Sequence, residues 1–78
     1  MREKRLYLVI TFHTTSAAMA MEAMCAEKGL PGRLIPVPRE ITAGCGMSFR
    51  AEVEQEESLL AAAGEAGIQV DGTYKLYL

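Results

Sequence analysis

The chain has 78 residues, half of them hydrophobic, with eight basic against ten acidic side chains and a net charge of -2. A chain of this size makes one domain that buries only about 60–65% of its unfolded surface, so its core is small and association would help it. The one basic cluster, Arg2, Lys4 and Arg5, has no interleaved aromatics, which excludes nucleic acid as an expected partner. Two cysteines twenty residues apart and a single histidine, His13, exclude a zinc or iron–sulfur site, so no cofactor is expected. No apolar stretch is long enough to span a bilayer, and no membrane partner is expected.

In chain order, Leu6 to Phe12 is apolar on both alternating sets and rich in β-branched and aromatic residues, which predicts a central strand. The basic start, this apolar run and Ala18-Met19-Ala20 imitate a signal peptide. The apolar run is at the short limit for one, and its removal would delete the best strand, so a reducing cytoplasm is the expected location. His13-Thr14-Thr15-Ser16 supplies N-cap chemistry for a helix over 15–28 that Gly29 stops. Met21, Met24, Cys25 and Lys28 share one face of it, which places Cys25 in or beside the buried stripe as a core residue.

Gly32 to Ile35 reads as a short edge strand, because Pro36 and Pro38 forbid its continuation in a sheet interior. Gly46 to Val53 alternates Met47, Phe49, Ala51 and Val53 against Ser48, Arg50 and Glu52, a half-buried strand. Glu54 to Glu57 puts acid at the start of a second helix, with Leu59, Leu60 and Ala63 on its apolar stripe and Gly67 at its end. Asp71-Gly72 reads as a turn and Thr73 to Leu78 as the last strand. Tyr7, Val9 and Tyr77 are expected on a helix-free sheet face whose apolar exposure suggests a homodimer.

The order β-α-β-β-α-β predicts a ferredoxin-like α+β sandwich, a four-stranded antiparallel sheet of order 4-1-3-2 with two helices on one face. The third strand then runs down beside the first, and its start lies at the end of the first strand. That start carries Cys45 between Gly44 and Gly46, whose backbone freedom permits a sharp turn and close approach of a reactant. The expected site therefore joins Cys45 to Thr15 and Ser16 at the helix N-terminus, whose free N–H groups favour an anion, and to the cations Arg39 and Arg50. His13 reads as a capping or surface residue, with proton donation the less expected role.

The stretch Pro36-Val37-Pro38-Arg39-Glu40-Ile41-Thr42-Ala43-Gly44-Cys45-Gly46-Met47-Ser48-Phe49-Arg50 resembles the signature of small bacterial domains described as selenium/sulfur carrier protein-like, Pro-x-Pro-Arg-x-Ile-Ser-x-x-Cys-Gly. Thr42 stands for the usual serine and Met47 for the usual leucine. The resemblance implies that Cys45 carries sulfur or selenium as a persulfide or selenosulfide, taken from a donor such as a cysteine desulfurase and passed to an acceptor protein. It implies a carrier more than a turnover enzyme. Two other readings stand beside it: a binding or regulatory module using the open sheet face or an anion site near Arg39, and a redox switch joining Cys45 to Cys25 or to a second chain.

Overall fold

The computed structural model describes residues 4–42 and 45–78. Its elements are β1 (Leu6–Phe12), α1 (Thr15–Lys28), β2 (Arg33–Pro36), β3 (Met47–Glu52), a 3-10 turn (Val53–Gln55), α2 (Glu56–Glu65) and β4 (Val70–Tyr77). The strands pair antiparallel in the order β2-β3-β1-β4, the predicted ferredoxin-like topology read from its other edge. β1 is central because both of its faces can be buried: every residue from Leu8 to Phe12 is fully or almost fully removed from solvent.

Alternation along the strands decides what each face holds. Leu8, Ile10 and Phe12 of β1 and Phe49 and Ala51 of β3 meet Ala18, Met21 and Cys25 of α1 and Leu59 and Ala63 of α2 in one core. Burying each large member contributes about 1.5–3 kcal/mol. α1 begins where Thr14, in extended conformation, accepts the Ala17 N–H on its hydroxyl at 3.1 Å. It ends where Gly29 takes φ 71° and the Leu30 N–H returns to the Cys25 carbonyl at 2.8 Å.

At Gly32 the chain passes so close to the Phe49 ring that an added Cβ would lie 2.3 Å from it. Any side chain there would push β2 off the core.

The sequence expectations need four corrections. β2 includes Pro36, which an edge strand tolerates because the missing N–H is not needed by a neighbour; the Val37 N–H still reaches the Gly46 carbonyl at 3.0 Å. Lys28 is exposed, and Ala18 takes its place in the buried stripe of α1. β4 starts at Val70, so Asp71 and Gly72 are strand residues and not a turn. Gly72 lies opposite Thr11 and Val70 opposite Phe12, and Asp71 is the extra residue of the register shift between them. Tyr77 lies opposite Leu6, on the helix side, and the helix-free face instead carries Tyr74 and Leu76 opposite Val9 and Tyr7.

That helix-free face is not bare. Val9, Thr11 and Ser48 are fully buried within the single chain, and the large exposed hydrophobics among the described residues are Met19 and Tyr77. Tyr7, Ile35, Tyr74 and Leu76 on this face are partly exposed. No helix among the described residues is long and apolar enough to cross a membrane.

Candidate functional site

The β1–β3 register ends with Thr11 opposite Ser48, so the chain leading into β3 must pass the end of β1. There the Cys45 N–H donates to the Phe12 carbonyl at 3.0 Å, two residues before the Thr14 cap of α1. The main chain of Cys45 is thus pinned beside the opening of α1. Gly46 follows at φ 99°, and a Cβ there would meet nothing within 4 Å. Glycine is needed at 46 for the left-handed backbone alone, and crowding plays no part.

The Cys45 side chain is half-buried and packs against the edge of the helix-side core. Its Sγ lies 3.6 Å from the Met47 carbonyl, to which the thiol donates. This bond belongs to the neutral S–H form and is surrendered when the thiolate forms. Cys25 contrasts with it: burial on the inner face of α1 pushes that thiol above its ordinary value of 9.0. Both cysteines are free thiols.

The other predicted residues divide into two groups. Thr15 and Ser16 form the exposed first turn of α1, at the same end of the sheet as Cys45. Arg39 is also exposed, in a turn closed by the Ile41 N–H on the Pro38 carbonyl at 2.9 Å. Arg50 is not at the thiol. It projects onto the helix-free face, where its guanidinium carbon lies 4.5 Å from the centre of the Tyr7 ring. Residues 43 and 44, and with them the predicted Gly44, lie outside the described residues.

A cleft of about 410 Å³ opens on the β4 side of α1, between its first turns and the α2–β4 connection. His13, Thr14 and Ser16 line it, whereas Cys45 does not. His13 Nε2 approaches Asp71 Oδ1 at 3.3 Å, and the Thr11 hydroxyl donates to Asp71 Oδ2 at 3.4 Å. Asp71 is a residue that sequence reasoning missed, because Asp before Gly was read as a turn. The polar Thr11 inside an apolar strand was the signal that a partner waits across the sheet. Among the described residues no three histidine, cysteine or carboxylate side chains gather closely enough to hold a metal ion.

Comparison with known proteins gives one match. A family model described as "Putative Se/S carrier protein-like" covers residues 7–75, nearly the whole chain. No curated protein and no solved structure matches.

Proposed function

Because the chain belongs to the Se/S carrier protein-like family, we propose that Cys45 is the residue that takes up a sulfur or selenium atom and hands it on. The observation that carries this reading is the setting of its side chain. The main chain is held by the Phe12 carbonyl, while the side chain is only partly buried, at the edge of the core, and its thiol makes a long contact to the Met47 carbonyl. A thiol held this way can meet a partner's sulfur without any core residue moving.

Loading is an exchange without net oxidation. The Cys45 thiolate attacks the outer sulfur of a donor persulfide, such as that of a cysteine desulfurase; the donor's S–S bond breaks, its thiolate leaves, and Cys45 holds S–SH. Selenium would be held as S–SeH by the same exchange, and an acceptor thiolate would reverse the step. The N-terminus of α1, with Thr15 and Ser16 in its first turn, supplies partial positive charge at this end of the sheet, favouring the anionic forms through which the atom moves. Arg39 in the exposed turn before Cys45 is the cation positioned to meet an incoming partner.

The test is non-reducing mass spectrometry after incubation with a cysteine desulfurase and cysteine. The wild type and Cys25→Ser should gain one sulfur on the Cys45 peptide, removable by reductant, and Cys45→Ser should gain none. Equal loading of Cys45→Ser would overturn the proposal. A Cys45 disulfide in place of the added sulfur would overturn it in favour of a redox switch.

A further inference from the structure

Arg33 and Arg50 face each other across the β2–β3 register on the helix-free side of the sheet. Like charges directly opposite on neighbouring strands repel, and sheets ordinarily avoid them. Arg5 adds a third guanidinium, its carbon 5.3 Å from the Tyr7 ring centre, while Arg50 stacks on the same ring at 4.5 Å. The neighbouring carboxylate, Glu52, is engaged by Arg5. Among the described residues neither Arg33 nor Arg50 forms an ion pair, although the chain as a whole carries a net charge of -2. A cleft of about 170 Å³ opens between Tyr7, Arg33, Arg50 and Glu52.

We propose that this face docks an acidic segment of a partner protein, gripped by Arg33 and Arg50 beside Tyr7. The stack on Tyr7 holds the Arg50 guanidinium by its face and leaves its N–H edge for a carboxylate. Arg33 and Arg50 lie directly opposite on neighbouring strands, about 4.8 Å apart, while Arg5 is taken up by Glu52. Successive same-side carboxylates of an extended acidic segment, about 6.8 Å apart, come within reach of these two long side chains. Positive charge concentrated on one face of an acidic protein selects such a partner and steers its approach. The proposal stands independently of Cys45 chemistry.

The test is a fluorescence-anisotropy titration of the full chain with fluorescein-labelled octaglutamate, with circular dichroism as the check on folding. The wild type should bind, more weakly as salt rises from about 50 to 200 mM. Arg33→Gln with Arg50→Gln should weaken binding about fivefold, as expected for the loss of exposed ion pairs. Arg33→Gln alone, at an exposed position, should lose part of that, and Glu54→Gln with Glu57→Gln should lose nothing. Unchanged binding by the folded double variant overturns the proposal. So does saturable binding of inorganic phosphate at these arginines without binding of octaglutamate, which would mark a small-ion site. A wild-type dimer in sedimentation that the arginine variants dissolve, again without peptide binding, overturns it in favour of a second copy of this chain.

Discussion

The two cysteines make the sharpest comparison in the molecule. Cys25 sits on the inner face of α1, 2% exposed, within the cluster that joins both helices to the sheet. Cys45 sits where a loop joins β3, its amide bonded to the end of β1 and its side chain only partly buried. The same side chain packs as a small hydrophobe in one place and stands at the partly open edge of the core in the other. Location relative to the core, and not residue type, separates the two settings.

Alkylation rates should show the largest difference. At pH 8, iodoacetamide should modify Cys45 at least about a hundredfold faster than Cys25 in the folded protein, because Cys25 reacts only when the structure opens. Peptide mapping over time measures both rates, and values within tenfold of each other would break the contrast. A smaller effect separates the serine variants in urea unfolding. Cys25→Ser buries a hydroxyl in hydrocarbon and should cost about 1–3 kcal/mol. Cys45→Ser keeps a donor for the Met47 carbonyl and should stay within about 0.5 kcal/mol of the wild type. Comparable losses in the two would mean that Cys45 is as structural as Cys25.

The smallest effect is on pH dependence. Burial raises the Cys25 thiol in the folded state, so the unfolded chain gives up that proton first. Stability from this group is full below the unfolded thiol value near 9.0 and falls as pH rises from there toward the folded value. Cys25→Ala should therefore lose less stability than the wild type between about pH 8 and 10. Parallel curves for the two proteins would remove the titration of Cys25 from the account.

Much of this arrangement was legible in the residues. The span of α1 follows from Thr14 and Gly29, and the place of β1 follows from its two apolar faces, because both are local matters of capping and alternation. The neighbourhood of Cys45 and Phe12 follows from topology once the element order is known. The start of β4 was not legible: Asp71-Gly72 has turn chemistry, and only the pairing of Val70 and Gly72 with β1, on either side of Asp71, keeps it extended. Arg50 misled for a related reason. Five residues from Cys45 in sequence, it alternates onto the other face of the sheet, and its attraction to Tyr7 depends on a partner strand that spacing alone does not reveal.

The bond between the Cys45 amide and the Phe12 carbonyl has a kinetic consequence. With the backbone anchored there, a turn of the Cys45 side chain about χ1 gives up one weak 3.6 Å contact. Such rotations of part-exposed side chains occur in picoseconds to nanoseconds. A turn of this kind is far faster than a diffusional encounter between two proteins.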